Sequence, residues 1–175
     1  MACQVRLATG GDTAAISRVV IAALRESNSQ DYSPEVVAQV ERSFTPEAIS
    51  SMLDKRKVLV ALLGETIIGT ASLDGNVVRS VFVDPAYQGG GIGRQLMDVI
   101  HATAASAGVA ALRVPSSITA ERFTLRWVIR QFATSFMSLS GQSLWKNGLK
   151  VSPLFSLTYA TAIQRFHSPA ASAGP

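Results

Sequence analysis

"VFVDPAYQGGGIGRQL", Val81 to Leu96, passes from an apolar strand through a Pro-bearing turn and three consecutive glycines into the start of a helix. Glycine adopts positive φ without steric cost and lets another group approach the main chain. Gly89, Gly90, Gly91 and Gly93 can therefore form a loop whose amides converge. The helix beginning there points its unpaired first-turn N–H groups and the positive end of its dipole the same way. This order of strand, amide nest and helix start suits a phosphate or pyrophosphate.

Two familiar phosphate loops do not fit the spelling. A dinucleotide fingerprint needs a third glycine, but Gly89 and Gly91 are followed by Arg94, and Gly91 and Gly93 by Leu96. A Walker loop needs Gly-Lys before Ser or Thr, and the chain has no Gly-Lys pair.

Upstream, Lys57 to Pro85 holds three apolar, β-branched runs separated by Gly64-Glu65 and Asp74-Gly75-Asn76, the turn chemistry of an antiparallel meander. Gln4 to Ala8 reads as a strand. Asp12 is placed to cap a helix with Ile16, Val19, Val20, Ala23 and Leu24 on one face. Ser33-Pro34 and Thr45-Pro46 each read as an N-cap followed by Pro at the first helical position. Val36, Val37 and Val40, then Ile49, Met52 and Leu53, are the expected buried stripes. Downstream of the glycines, Ile92 opens a helix ending near Gly108. Val109 to Val114 is a strand, and Ser116 or Ser117 can cap a helix through Ala120 and Phe123. The expected fold class is α/β, with layered strands and helices.

The 175 residues, 47% apolar and 16% charged, suit one domain with a sizeable core. No run approaches the roughly 20 apolar residues of a membrane helix, and the start lacks a signal-peptide pattern, so the expected location is cytoplasmic. The single cysteine, Cys3, excludes an internal disulfide, a thiolate zinc cluster and a CxxC pair; no metal site is expected. The net charge of +4 is unevenly placed. All twelve acids lie in residues 1–123 beside eleven bases, whereas Thr124 to Pro175 holds five bases and no acid. Nucleic-acid binders more often carry a basic stripe on a folded face, so such a partner ranks last.

Gln88-x-x-Gly91-x-Gly93 directly after a strand ending in Val-Asp-Pro resembles the GNAT superfamily of acyl-CoA-dependent N-acyltransferases. The likeness covers residues 1 to about 123, and "DYSPEVV" is similar to one bacterial branch of acetyltransferases. It implies a mixed, mostly antiparallel sheet with helices on both faces and a splayed pair of parallel strands, Val81–Val83 and Val109–Val114. It also implies acetyl-CoA as cosubstrate. The pyrophosphate would lie on backbone amides of Gln88, Gly89, Gly90, Gly91, Ile92, Gly93 and Arg94, and the pantetheine arm along the backbone of Val81, Phe82 and Val83. The acceptor, a small-molecule or peptide amine, would sit between the Asp31–Leu53 helices and the C-terminal region.

The implied reaction is direct attack of the amine on the thioester, with alignment supplying much of the acceleration. A backbone N–H in Val81–Val83 would stabilise the developing oxyanion. An amine of pKa about 10 is only about a thousandth neutral at pH 7, so a proton must leave. No base stands out. His101 is expected on a solvated helix face, Asp84 in a turn, Glu65 and Asp74 at hairpin tips, and Arg94 either on the surface or beside the phosphate.

The family usually carries an aromatic pair ending in Tyr after its fifth strand, followed by Gly and an aromatic. Here Phe123 matches and Thr124 does not. From Thr124 the chain also gains both tryptophans. Restoring one base before Thr124 lets the tail be back-translated, with permitted codons, into a tyrosine, a Gly-aromatic pair, an acid-rich stretch and a stop over Val151-Ser152. Residues 1–123 are therefore read as the acyl-CoA-binding core and 124–175 as an atypical region, consistent with a reading-frame slip. That region could pack as part of the same domain or stay partly disordered, and its aromatics, where exposed, could instead promote a homo-oligomer or aggregation.

Overall fold

The structure, a computed structural model, describes residues 3–115, Phe123, Thr124, Trp127 and 150–152. The elements are β1 (Gln4–Leu7), α1 (Thr13–Glu26), α2 (Pro34–Glu41), α3 (Pro46–Leu53), β2 (Lys57–Leu63), β3 (Thr66–Asp74), β4 (Val77–Val83), α4 (Ile92–Ser106), β5 (Ala111–Arg113) and β6 (Lys150–Ser152). The strands form one sheet in sequence order. It is antiparallel from β1 to β4 and parallel at β4–β5 and β5–β6.

The meander forms where its turn residues allow it, with Gly64 at φ 61° and Gly75 at φ 56°. The strand β2 is buried on both faces. Val58, Val60 and Leu62 pack with Ile16, Val20 and Leu24 of α1 and Ile49 of α3. Leu59 and Ala61 pack with Leu96, Met97 and Ile100 of α4. Helices thus cover both faces, as the continuous apolar run of β2 requires.

Two register shifts shape the sheet. Ala61 pairs with Gly69 but Leu62 with Ile67, so Ile68 is an extra residue in β3. Ile68 joins the α4 cluster, while a Cβ on Gly69 would stand 3.1 Å from Ile92 Cγ2 and 3.2 Å from Leu96 Cδ1. Gly69 is what lets α4 settle so closely. On β4, Ser72 pairs with Ser80 but Leu73 with Val78, leaving Arg79 as the second bulge.

Thr45 caps α3, its Oγ1 accepting from Ala48 N at 3.2 Å. Asp12 behaves differently from the expected helix cap. It ends a one-turn 3₁₀ helix, Gly10–Asp12, and its carboxylate turns back to accept from Thr9 N at 2.7 Å and Thr9 Oγ1 at 3.0 Å. Arg6 on β1 adds two bonds, at 2.7 and 2.9 Å. A guanidinium attracts the carboxylate more strongly than orphan helix amides do, and the Arg6 bonds hold the Asp12 acid well below the usual carboxylate range.

The helix α4 closes as its sequence indicates. Gly108, at φ 73°, donates to Ala105 O at 3.0 Å and Val109 N donates to Ala104 O at 3.0 Å, a Schellman ending. The strand that follows is shorter than expected, spanning Ala111–Arg113 only. Phe123, Thr124 and Trp127 are helical, while Ser116, Ser117 and Ala120 lie outside the described residues. No helix among the described residues is long and apolar enough to cross a membrane.

Candidate functional site

The parallel pair β4–β5 is where the sheet opens. Its register is a single pair, Val77 opposite Arg113, with Arg113 N donating to Asn76 O at 2.8 Å. The Arg79 bulge follows at once and bends β4 away, so Val81–Val83 continue with β3 on one edge and have no β5 register on the other. A cleft of about 760 Å³ occupies the opening. Val81, Val83, Met97, Phe123 and Trp127 line it from the α4 cluster, and Leu24, Val37, Val40, Phe44 and Phe82 from the other. Because its walls come from clusters on opposite faces, the cleft crosses the plane of the sheet.

The glycine loop forms one rim. Gly89 and Gly91 have φ of 80° and 82°, and Gly91 is the residue preceding α4. The first helical closure is Gln95 N to Gly91 O, at 3.0 Å. The amides of Ile92, Gly93 and Arg94 are therefore the unpaired donors of the first turn. Gln88, Gly89, Gly91, Ile92, Gly93 and Arg94 all line the cleft, with Val81, Phe82 and Val83 on its floor. Gly90 is outside the lining and has an ordinary φ.

Two residues of this loop carry roles that sequence reasoning missed. A Cβ on Gly93 would meet Phe123 Cε2 and Cζ at 3.2 Å, so this glycine makes room for an aromatic ring. The Gln88 amide donates to Pro85 O at 3.3 Å, and its side-chain Nε2 donates to Val83 O at 3.1 Å and Ser27 Oγ at 3.0 Å. That side chain ties the loop to the ends of β4 and α1. Spacing gave no sign of the Ser27 contact, since it spans 61 positions. Tyr32 and Phe44, walls from the α2 side, were likewise not singled out by the sequence.

The candidate bases lie elsewhere. Asp84 Oδ1 accepts from Ala86 N at 3.0 Å, a turn role, and Asp74 is held by Arg79 at 3.0 Å. His101, expected on a solvated face, instead meets Trp127 edge-on, with ring centroids 6.0 Å apart. Trp127 is buried and its Nε1 donates to Asp98 Oδ1 at 2.9 Å, so an apolar ring from the tail covers part of that face. None of these carboxylates or His101 lines the cleft. Among the described lining residues the charged side chains are Arg79 and Arg94.

An acetyltransferase (GNAT) domain model matches residues 28–126, more than half of the chain. The chain belongs to the GNAT acetyltransferase family. Its fold agrees with solved GNAT structures. A GCN5-related N-acetyltransferase from Rhodopseudomonas palustris is 25% identical with a TM-score of 0.67, covering 72% of this chain and 80% of that one. A PaiA N-acetyltransferase from Thermoplasma acidophilum, solved with coenzyme A, is 18% identical with a TM-score of 0.58, covering 62% and 76%. A GNAT acetyltransferase from Brucella melitensis, solved with acetyl-CoA, is 22% identical with a TM-score of 0.53, covering 70% and 81%. No curated protein sequence matches the chain. GNAT membership places the glycine loop and the splayed strands within one architecture.

Proposed function

We propose that this GNAT chain transfers the acetyl group of acetyl-CoA to an amine by direct attack. The observation that carries the reading is the cleft at the β4–β5 opening, rimmed by the left-handed glycines and first-turn amides of α4. The amides from Gly89 to Arg94 take the pyrophosphate, whose charge complements the helix dipole. The pantetheine arm lies along the β4 edge that β5 leaves unpaired, bonding to the backbone of Val81–Val83 as an added strand would. The thioester then lies in the sheet opening, and the amine approaches from the α1–α2 side. A β4 amide stabilises the oxyanion, and alignment supplies much of the acceleration.

A second reading is favoured by Thr124. This residue is helical, lines the cleft and follows Phe123, the position where the resemblance expects a tyrosine. A tyrosine there would protonate the leaving thiolate, whereas an alkyl hydroxyl is a far poorer acid. Binding of acyl-CoA with little turnover is the outcome if that proton is essential. The acid-free tail after Phe123 supports the accompanying reading of a one-base slip. The nucleotide sequence decides it: codons giving the acidic frame and a TAG over Val151-Ser152 support the slip, and incompatible codons exclude it.

The functional test is release of CoA thiol from acetyl-CoA across a panel of amines. Amine-dependent release supports transfer. Saturable acetyl-CoA binding without release supports the second reading.

A further inference from the structure

We propose that the acceptor taken by this cleft is a monoamine with an apolar, ring-sized body, and not a polyamine or a lysine-rich peptide; this rests on the acetyltransfer reading. The wall facing the acceptor is mainly apolar, with Tyr32, Val36, Val37, Val40, Phe44 and Phe82 beside the polar Ser27 and Asn28. Phe44 and Phe82 meet edge-on, centroids 5.4 Å apart at 78°, a rigid aromatic corner of the kind that holds another ring.

Charge narrows the choice. A polycation needs carboxylates to replace the water it loses, because an unpaired ammonium is costly to bury. The described lining holds no carboxylate; of its two cations, Arg79 is paired with Asp74 at 3.0 Å and Arg94 stands on the glycine-loop rim that the acetyltransfer reading gives to the pyrophosphate. Glu41, on the neighbouring α2, is committed to Arg25 through bonds of 2.7 and 3.1 Å. Each further ammonium on a substrate therefore adds a desolvation cost that the described lining does not offset.

A single amine meets the same walls with the opposite consequence. Apolar burial disfavours an ammonium relative to the neutral amine. The neutral amine is the nucleophile, so the wall that rejects a polycation helps a monoamine shed its one proton. In the transfer, the amine nitrogen bonds to the acetyl carbon, the carbon–sulfur bond breaks, the thiolate leaves and the surplus amine proton passes to solvent.

The test is calorimetric titration of the full chain, saturated with CoA, with phenethylamine, methylamine and spermidine in turn. The expected result is saturable phenethylamine binding, at least about 10-fold tighter than spermidine and about 100-fold tighter than methylamine, in line with what apolar pockets discriminate. Phe44→Asp should shift the preference toward spermidine. Val36→Asp, at another half-buried position on the same wall, should do so if the first variant fails to fold. Spermidine binding as tightly as phenethylamine, or no phenethylamine binding to a chain that holds CoA, overturns the proposal. Failure to bind CoA overturns the acetyltransfer reading and this inference together.

Discussion

Phe123 rests against α4 where Gly93 has no side chain, its Cε2 and Cζ both 3.2 Å from the position a Cβ would take. This contact brings the chain after β5 onto the glycine-loop helix, making Phe123 a wall of the cleft. A methyl group there must displace the ring or the helix. Gly93→Ala should therefore shift the Phe123 ring and loosen acetyl-CoA binding, with a fold cost of no more than about 1 kcal/mol, because the overpacking is set against the roughly 0.5–1 kcal/mol by which Ala is favoured over Gly in a helix. Urea unfolding and calorimetry on the same variant check both.

The glycines of the loop should not be equivalent. Gly91 has φ 82°, a conformation that costs an L-residue about 1–2 kcal/mol, so Gly91→Ala should weaken acetyl-CoA binding roughly 10-fold. Gly91→Asp should abolish it by setting a carboxylate at the proposed pyrophosphate site. Gly90 has an ordinary φ, and its Cβ would meet Tyr87 O at an acceptable 3.5 Å. Gly90→Ala should stay within about 2-fold of the parent, since its conformation asks for no change. Equal losses at both positions would count against the nest.

Thr124 lines the cleft beside Phe123. Thr124→Tyr should raise kcat about 100-fold, the low end of what general acids contribute, with little change in acetyl-CoA affinity. Single-turnover rates measured across pH test it. An unchanged kcat with a well-folded variant would remove position 124 from the chemistry.

Asp12 gives a pH signature independent of catalysis. Its folded pKa is depressed, first by Arg6 and also by Thr9. The stability it contributes is thus fully present above the ordinary carboxylate pKa and lost as pH falls through the folded value. Asp12→Asn should cost about 1–3 kcal/mol at pH 7, the range for bonds to a charged group, and flatten the acid limb of stability. Urea midpoints between pH 7 and 3 for parent and variant give the comparison.

Local chemistry explains what the sequence disclosed. The turns at Gly64 and Gly75, the Pro-first helices and the Gly108 ending follow from residues adjacent in the chain, and each is found where expected. In the loop, Gly89 and Gly91 have a backbone reason to be glycine, with φ of 80° and 82°. What stayed hidden depends on distant partners: the Arg6 bonds that reorient Asp12, the tie from Gln88 to Ser27, and Trp127 covering His101. Gly93 shows the limit well, since a glycine in a phosphate motif was also answering to a ring 30 positions away.

The most direct test of the central claim is a calorimetric titration of the purified chain with acetyl-CoA, with CoA alone and the Gly91→Asp variant beside it. Saturable one-site binding by the parent, shared by CoA and lost in the variant, is the result the cleft and glycine rim require. A folded parent that binds neither molecule, or a variant that binds as well as the parent, would contradict the assignment.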